Sequence, residues 1–233
     1  MSIPRHMVTG DPFPENIPGK IRLYSMQFCP FSMRVRLMLI KKKVEFEYVN
    51  INLKKKPEWF LEKYPIGSVP VFELDGKLIA GSLVLAEYVD EVYSKQEERT
   101  IPQDPYKKAK INMMISDHLA KAVGPILDRF YQREVDVKKF EKAIANLENI
   151  LGSQNFFSGE KLGYADYMIW PWMRYLDPLI IDGVVGSGNY PNIERWKQEM
   201  LSDETIQKCR VKPENIARYR NSVKTGKPAY DQE

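Results

Sequence analysis

One cysteine in the first third of the chain occupies a position where a thiol becomes reactive. Cys29 follows a strand-like run at 21–25 and directly precedes Pro30, a residue that is well tolerated in the first turn of a helix. Backbone N–H groups at a helix start and the positive end of the helix dipole stabilise an anion, so a thiol placed there loses its proton readily. We therefore predict that Cys29 is a nucleophile, against the alternative of a small buried apolar residue.

The residue three positions after Cys29 limits the chemistry to one thiol. Ser32 stands where Cys-x-x-Cys proteins carry a second, resolving cysteine. Cys29 would then form a mixed disulfide with an external thiol and be released by another, a cycle that suits a small abundant thiol such as glutathione. Arg34, about one helical turn further on, is interpreted as a solvated side chain.

Two further segments offer groups that could bind such a compound. The run GSVP at 67–70 precedes a strand and resembles the turn that holds a cis-proline opposite the cysteine in thioredoxin-like proteins. Its backbone could pair with an extended peptide, although Pro70 could equally be a trans residue that opens the strand. Ser82 lies at a helix start, where its hydroxyl suits a carboxylate or serves as an ordinary N-cap.

The histidine and cysteine counts exclude several classes of site. The chain contains two histidines, His6 and His118, and two cysteines, Cys29 and Cys209. Two histidines are too few for a histidine-rich zinc site, and they argue against a Ser-His-Asp triad. Two widely separated cysteines do not form a disulfide scaffold, which favours a reducing compartment. We therefore predict a cytoplasmic protein that holds no metal.

Composition and charge are those of an ordinary globular protein. Hydrophobic residues make up 43% of the 233 residues, charged residues make up 28%, and the formal net charge is +4. The lysine runs are followed by acidic residues, so they indicate solvated helix faces and no nucleic-acid partner. No apolar stretch reaches the ~18–20 residues of a membrane span, and the proline-rich start lacks the apolar core of a signal peptide. We expect no stable membrane insertion.

Short strand-like and helical runs alternate in the first part of the chain. They occur in the order β-α-β-α-β-β-α, and Asp75-Gly76 between two of them is a strong hairpin signal. That order predicts a compact sheet with helices on its faces, a thioredoxin-like α/β domain. The runs lie at 21–25, 30–43, 45–53, from 57 onward, 69–74, 77–80 and 83–93, with Ser82 as the expected cap of the last helix.

The remaining chain is predicted to be helical. A polar, proline-containing linker follows the α/β domain, and beyond it apolar residues recur at helical spacing. The predicted organisation is an N-terminal extension at 1–20, an α/β domain at 21–93, a linker at 94–105 and an all-helical domain at 106–233.

With these features in place, the chain resembles the omega class of cytosolic glutathione transferases from about residue 21 to its C-terminal region. The resemblance is carried by the runs YSMQFCPFSMRVRLML, VNINLKKKPEWFLEKYP, GSVPVFE, EYVDEVY, DPYKKAK and DYMIWPW. It implies a thioredoxin-like domain followed by an all-helical domain, glutathione as co-substrate without a metal, and a homodimer.

The resemblance also implies roles for individual residues. Cys29 matches the catalytic cysteine that replaces the tyrosine or serine of other transferase classes. Lys56 would pair with the glycyl carboxylate of glutathione, and the Val69 backbone would bind its cysteinyl part. The positions that match glutathione-binding residues are Phe31, Lys56, Val69, Pro70 and Ser82, and those near the second-substrate cleft are Trp170, Trp172 and Tyr219. For the two tryptophans, packing in a helical core is the alternative.

Two residues depart from the pattern of the omega class. Gly81 stands where the family commonly has a glutamate that helps to hold the γ-glutamyl ammonium group. Its loss removes a charge-assisted hydrogen bond of about 1.5–3 kcal/mol, so we expect glutathione to bind more weakly. Gly163 stands where the helical domain often has a Ser or Thr cap three residues before the aspartate, here Asp166, and glycine is a tolerable cap.

The expected activity is thiol transfer through Cys29. Small oxidised compounds, glutathionylated disulfides and dehydroascorbate are the expected acceptors, and conjugation of electrophiles is expected to be weak. An alternative is a chloride intracellular channel-like protein, which shares the fold and the CPFS motif, but residues 31–43 carry five cationic side chains that are costly in a bilayer. A further alternative is a binding protein of the glutathione transferase fold that has lost activity.

Overall fold

The computed structural model describes residues 4–15, 17–131, 133–134, 136–175 and 190–231. The chain forms two compact units, of which the first comprises 1–94 together with 209–233 and the second comprises 95–208. The first unit contains all described strands, and the second is helical. The predicted fold class is therefore confirmed: a thioredoxin-like α/β unit and an all-helical unit.

The first unit is built on a five-stranded mixed sheet. Its strand order is β1-β3-β2-β4-β5, with β1, β3 and β2 parallel and β4 and β5 antiparallel to their neighbours. The elements are β1 His6–Met7, β2 Ile21–Ser25, α1 Pro30–Lys41, β3 Phe46–Ile51, α2 Glu58–Lys63, β4 Val71–Leu74, β5 Lys77–Ala80 and α3 Ser82–Val92. The strand β1 was not predicted, since residues 1–20 were interpreted as an extension.

The hairpin between β4 and β5 confirms the prediction from Asp75-Gly76. Both residues have positive φ, +48° and +78°, which is the conformation that a two-residue type I′ turn requires. The turn sets the register so that Leu74 lies opposite Lys77 and Val71 lies opposite Ala80.

Helices cover both faces of the sheet. Phe72 of β4 contacts Tyr88 of α3 with ring centroids 5.6 Å apart, whereas Tyr24 of β2 contacts Phe60 of α2 at 5.4 Å. Because Phe72 lies beside Leu23, and Leu23 and Tyr24 point to opposite faces, α3 and α2 lie on opposite sides of the sheet. The helix α1 packs on α3.

The second unit consists of helices around an apolar core. Its elements are α4 Pro105–Met113, a π-helical segment Met114–Leu119, α5 Ala120–Phe130, α6 Val137–Leu151, α7 Tyr164–Met173, α8 Pro191–Leu201 and α9 Glu204–Cys209. The helix α7 is buried along its whole length. A last helix, α10 Pro213–Lys224, belongs to the first unit.

The boundaries of the two units differ from the predicted ones at the C-terminal end. The prediction assigned 106–233 to one helical domain, whereas 209–233 packs with the α/β unit. The reason is a set of contacts between the two ends of the chain. Asp231 hydrogen-bonds His6, and the ring of Tyr219 stacks on Phe28 with centroids 4.2 Å apart.

Candidate active site

One edge of the sheet collects most of the residues that the sequence singled out. The strand register places Tyr24 near the end of β2 opposite Val71 at the start of β4, and Val71 opposite Ala80 at the end of β5. The end of the parallel strand β3 lies at the same edge. We call this the site edge; it comprises loops 26–29, 52–57 and 67–70 and the start of α3.

Cys29 lies at the site edge as the N-cap residue of α1. Its backbone is extended, with φ −70° and ψ 120°, and Pro30 occupies the first turn of the helix. The Cys29 N–H donates to the Met26 carbonyl at 3.0 Å, and the Cys29 carbonyl accepts the first helical bond from the Met33 N–H at 3.0 Å. The side chain makes no capping hydrogen bond, so the start of α1 is not closed by its own residue. Residues 26–29 are called the Cys29 loop below.

Among the described residues, no second thiol accompanies Cys29 in its motif. Ser32 is fully buried, and its hydroxyl has no hydrogen-bond partner in that part of the chain. Cys209 lies at the end of α9, and neither cysteine forms a disulfide in the described structure. A disulfide formed by Cys29 therefore requires a sulfur from outside its motif.

The peptide bond between Val69 and Pro70 is cis. The sequence left both isomers open at this position. Val69 and Pro70 are buried and directly precede β4, which pairs with β2. The Val69 backbone therefore lies at the site edge, beside the strand that leads into the Cys29 loop.

Ser82 and Arg34 connect the starts of α3 and α1. Ser82 is the first residue of α3, and Gly81, with φ +96°, is the N-cap in place of the predicted Ser82. The Ser82 hydroxyl accepts a hydrogen bond from Arg34 Nη1 at 3.3 Å. Arg34 is 4% exposed, and its guanidinium carbon lies 5.9 Å from the ring centre of Phe31. The interpretation of Arg34 as a solvated side chain was wrong, because the hydroxyl and the ring surround it.

Lys56 lies against the backbone of the loop that leads to Pro70. A Cβ atom on Gly67 would lie 3.0 Å from Lys56 Nζ and 2.8 Å from Leu61 Cδ2, and Gly67 has φ +62°. Glycine adopts this positive φ readily, and the absence of a side chain leaves the space that the Lys56 side chain occupies. The ammonium group of Lys56 is thereby held at the site edge.

The three aromatic residues predicted near a second-substrate cleft occupy different environments. Tyr219 is buried in the first unit, and its ring is nearly parallel to that of Phe28 in the Cys29 loop. Trp170 and Trp172 belong to the second unit and are 6% and 0% exposed. Trp170 packs on Trp196 with ring centroids 5.8 Å apart, as the core-packing alternative expected.

The cavities of the described structure do not coincide with the site edge. Two sizeable cavities, of about 550 Å³ and 230 Å³, are found in the described structure, and no predicted site residue lines either of them. The first lies in the helical unit beside His118, and the second lies beside Arg22 and Glu47. Topology therefore defines the candidate site: two helix starts, a buried arginine and a lysine converge there.

Sequence reasoning missed the residues that support the Cys29 loop from behind. Gln27 bonds to His6 and Arg36, and His6 bonds to Asp231. His6 and Asp231 are separated by 225 positions, so no spacing pattern connects them. The burial of His6 is the signal for this contact, and it becomes visible only in the folded chain.

The described structure contains neither a cluster of metal ligands nor a helix suited to span a membrane. Its His, Cys, Asp and Glu side chains form no group of three or more that could hold a metal ion. Its helices include none with the length and apolar composition needed to cross a bilayer.

Comparison with known proteins agrees with this architecture. The model of the glutathione S-transferase N-terminal domain matches residues 23–98, and that of the C-terminal domain matches 116–204. Glutathione S-transferase omega-1 of Sus scrofa is 36% identical over 88% of this chain and 85% of its own length. Pyrimidodiazepine synthase of Drosophila melanogaster is 34% identical over 99% of this chain and 98% of its own length. Glutathione transferase Omega 1C of Trametes versicolor superposes with a TM-score of 0.76 at 21% identity, covering 90% of this chain and 98% of that one.

In this chain a cysteine stands at the first helix start of a thioredoxin-like sheet, and a helical unit follows along the chain. These two features define a class of glutathione-dependent proteins. The chain belongs to the glutathione S-transferase family, and its curated relatives assign it to the omega class of these enzymes. Its general activity is therefore a glutathione-dependent transferase activity. Of the alternatives that the sequence left open, the comparisons favour the transferase.

Proposed function

We propose that the protein is a thiol transferase in which Cys29 forms a mixed disulfide with glutathione. The observation that carries the proposal is the position of Cys29. Its thiol caps no backbone group, stands at the start of α1, and has a serine, Ser32, where a resolving thiol would be. A thiol with that environment reacts with external disulfides and depends on an external thiol for release.

Glutathione would bind along the site edge. Its cysteinyl backbone would pair with Val69 as an added strand, beside Pro70. Its γ-glutamyl carboxylate would lie at the start of α3, near the Ser82 hydroxyl that Arg34 already orients. Its glycyl carboxylate would pair with Lys56, and Phe31, 37% exposed, would cover the bound tripeptide.

The reaction consists of two thiol–disulfide exchanges. The Cys29 thiolate attacks the glutathionyl sulfur of a mixed disulfide RS–SG, the S–S bond breaks, and RS⁻ leaves and takes a proton from water. A second glutathione, as thiolate, attacks the glutathionyl sulfur on Cys29 and forms oxidised glutathione, which returns the Cys29 thiolate. The net reaction is RSSG + GSH → RSH + GSSG.

Reduction of dehydroascorbate would use the same cysteine: the Cys29 thiolate adds to a carbonyl carbon of dehydroascorbate, and a first glutathione thiolate attacks the Cys29 sulfur, so that the C–S bond breaks, ascorbate leaves and the Cys29–glutathione disulfide forms. A second glutathione then releases Cys29 as in the cycle above. Two glutathione molecules supply the two electrons and two protons, so that ascorbate and one oxidised glutathione are the products. Conjugation of electrophiles would be slower, because the cysteine bonds to glutathione instead of only activating its thiol. On the resemblance alone, Trp170, Trp172 and Tyr219 are proposed to lie near the binding place of the second substrate.

The test measures both the adduct and turnover. The protein is incubated with oxidised glutathione and its intact mass is recorded, and thiol transfer is then assayed for wild type, Cys29→Ala and the matched control Cys209→Ala. We expect one glutathionyl group on wild type and on Cys209→Ala, and neither adduct nor turnover for Cys29→Ala. Unchanged turnover in Cys29→Ala would falsify the proposal.

We also propose that the protein is a cytoplasmic homodimer, as the resemblance implies. Light scattering coupled to size-exclusion chromatography gives the mass of the particle in solution. A mass of twice the 27.2 kDa chain is the expected result, and a single-chain mass would contradict it.

A further inference from the structure

The Cys29 loop is held by hydrogen bonds to both backbone polar groups of Gln27, its N–H and its carbonyl. The Gln27 N–H donates to His6 Nε2 at 3.3 Å, and the Gln27 carbonyl accepts from Arg36 Nη2 at 3.0 Å. Gln27 and Phe28 are 4% and 1% exposed, so water does not replace these partners. The two residues before Cys29 are therefore fixed by groups outside the loop.

His6 connects this loop to the C-terminal end of the chain. Its side chain is fully buried, and Nδ1 lies 2.8 Å from Asp231 Oδ1, which also accepts the His6 backbone N–H at 2.7 Å. The Gln27 N–H can only donate, so Nε2 must accept and the neutral ring carries its proton on Nδ1. One tautomer of His6 therefore satisfies both partners.

A chain of aromatic rings reaches the same loop by a second route. His6 contacts Tyr230 with ring centroids 5.1 Å apart, and Tyr230 contacts Tyr219 at 5.7 Å. Tyr219 stacks on Phe28 at 4.2 Å with an interplanar angle of 10°. The His6 imidazole therefore contacts Gln27 and the aromatic chain contacts Phe28, the two consecutive residues directly before Cys29.

We propose that His6 is a positioning residue for Cys29: its neutral imidazole, anchored by Asp231, holds the Gln27 peptide so that the sulfur stays at the start of α1. This inference rests on the proposed function, because it concerns the geometry of attack by Cys29. Of the residues assigned to glutathione, Lys56, Val69, Pro70 and Ser82 lie in other segments of the site edge, and Phe31 follows Cys29 in α1. Loss of the His6 contact therefore lowers kcat and leaves KM for glutathione unchanged.

The groups that face the ring determine how it responds to acid. They are Asp231 and Tyr230 from the C-terminal segment, Arg36 from α1, and Arg5, which donates to the His6 carbonyl. Burial lowers the pKa of His6 below its usual 6.5, and Arg36 lowers it further, whereas the hydrogen bond to Asp231 opposes the shift.

Protonation of His6 breaks its contact with the Cys29 loop. A proton on Nε2 would face the Gln27 N–H, so two donors would meet and the peptide would lose its acceptor. Since the folded protein holds His6 less basic than the unfolded chain, acid favours release of the loop. The contact is complete at neutral pH and is lost as the pH falls through the lowered pKa of His6, below 6.5.

Two substitutions at the same position separate the acceptor from the ring. His6→Gln keeps an acceptor oxygen near the place of Nε2 and cannot titrate, whereas His6→Phe keeps a ring beside Tyr230 and has no acceptor. We expect His6→Phe to lose about tenfold in kcat for thiol transfer with KM for glutathione unchanged. We expect His6→Gln to retain the kcat of wild type at pH 7.5. At acidic pH its kcat should fall less than that of wild type, because glutamine does not titrate.

Asp231→Asn provides a second test of the His6 contact. The Asp231 side chain is half-exposed, so this variant can be used if His6→Phe does not fold. The asparagine oxygen still accepts both hydrogen bonds, but the charge that favours protonated His6 is gone. The acid decline of kcat should therefore move to lower pH, while kcat at pH 7.5 is unchanged. If Asp231 only stabilised the fold, kcat would decline at the same pH in Asp231→Asn as in wild type.

A reaction without glutathione separates this inference from the proposed function. In a Cys209→Ser background, alkylation of Cys29 by iodoacetamide is followed by mass spectrometry for wild type, His6→Phe and His6→Gln. We expect a several-fold slower reaction for His6→Phe and the wild-type rate for His6→Gln. If wild type shows no thiol transfer with any acceptor, the proposed function fails, and these rates alone decide on His6.

Three results would overturn the inference. The first is an equal loss of rate in His6→Phe and His6→Gln, which would make the residue structural. The second is a rate for His6→Phe that equals or exceeds that of wild type. The third is an acid decline that does not move in Asp231→Asn.

Discussion

Helices begin differently in the two units of the molecule. In the helical unit, five helix starts receive a hydrogen bond from a carboxylate: Asp104 for α4, Asp136 for α6, Asp166 for α7, Glu148 for α8 and Asp203 for α9. Two of the helices that begin at the site edge, α1 and α3, have neither a side-chain cap nor an acidic residue in the first turn. Where a helix start is structural, the chain closes it with its own anion, whereas the starts of α1 and α3 lack such an anion, as the proposed roles of the Cys29 thiolate and of glutathione require.

The carboxylate of Asp166 shows how far this closure goes in the helical unit. It is fully buried and accepts hydrogen bonds from the backbone N–H groups of Phe157, Ser158 and Gly163 and from Trp196 Nε1. Burial raises the pKa of Asp166, because the charged form loses water, and the hydrogen bonds oppose that shift. A site this saturated holds its loop in one conformation and leaves no group for a ligand.

The largest expected effect comes from removing the carboxylate of Asp166. Asp166→Ala leaves four donors without their acceptor, three of them in buried hydrogen bonds, so the free energy of unfolding should fall by about 3 kcal/mol or more. Urea denaturation monitored by circular dichroism measures the loss. Asp136→Ala is the matched control, because its exposed carboxylate caps α6 and its removal should lower the melting temperature far less. A similar loss in both variants would remove the distinction between the two kinds of cap.

A second prediction exchanges the source of a cap. The Ala165 N–H at the start of α7 donates to the Ser158 hydroxyl at 3.2 Å, so Ser158 supplies the cap that Gly163 lacks. A Cβ atom on Gly163 would lie 2.7 Å from Ser158 Oγ, and Gly163→Ser should therefore cost about 1–2 kcal/mol of stability.

The double variant completes this test. Ser158→Gly alone should cost about 1 kcal/mol through loss of the cap. Ser158→Gly with Gly163→Ser makes room and restores a cap, so the double variant should be more stable than the sum of the single changes by about 1 kcal/mol. Strict additivity of the two changes would contradict the proposed exchange.

The third prediction adds a charged side chain to the site edge. Gly81→Glu should lower KM for glutathione about tenfold, through a charge-assisted hydrogen bond to the γ-glutamyl ammonium group. The same change should cost about 1–2 kcal/mol of stability, because Gly81 has φ +96°. Gly81→Gln keeps the shape and most of the strain, and serves as the control. A KM that falls equally for glutamine would show that charge is not the cause.

The smallest expected effect concerns the lysine at the site edge. Gly67→Ala places a Cβ atom against Lys56 Nζ and should raise KM for glutathione several-fold by displacing the ammonium group. Gly76→Ala is the matched control, since Gly76 also has positive φ, +78°, but no atom within 4 Å of the added carbon. Steady-state kinetics at varied glutathione should separate the two variants, and equal KM values would mean that Lys56 adapts.

Local patterns predicted most of the sheet and the position of the reactive cysteine. Asp75-Gly76 determines its hairpin through backbone preferences alone, and Pro30 marks the start of α1 because proline fits the first helical turn. The strand at 21–25 was predicted with the bounds that the structure has. These features depend on neighbours within a few positions, so the sequence displays them directly.

The remaining features depend on contacts between distant segments. The pairing of His6–Met7 with β3 has no counterpart in the proline-rich sequence around it, and the hydrogen bond from His6 to Asp231 joins opposite ends of the chain. Arg34 reads as a surface residue until α3 supplies the Ser82 hydroxyl. Burial of these polar groups is a product of the tertiary fold, and no local pattern encodes it.

The short strand β1 has one further consequence, for the solubility of the protein. It pairs with Asn50 and Ile51 at the end of β3, the outermost long strand on that side of the sheet, and the Pro4 carbonyl accepts a hydrogen bond from the Asn50 side chain. Without residues 4–7, the end of β3 would present unpaired backbone groups, which is the condition under which sheets of separate molecules join edge to edge. The N-terminal arm thus shields the sheet from self-association.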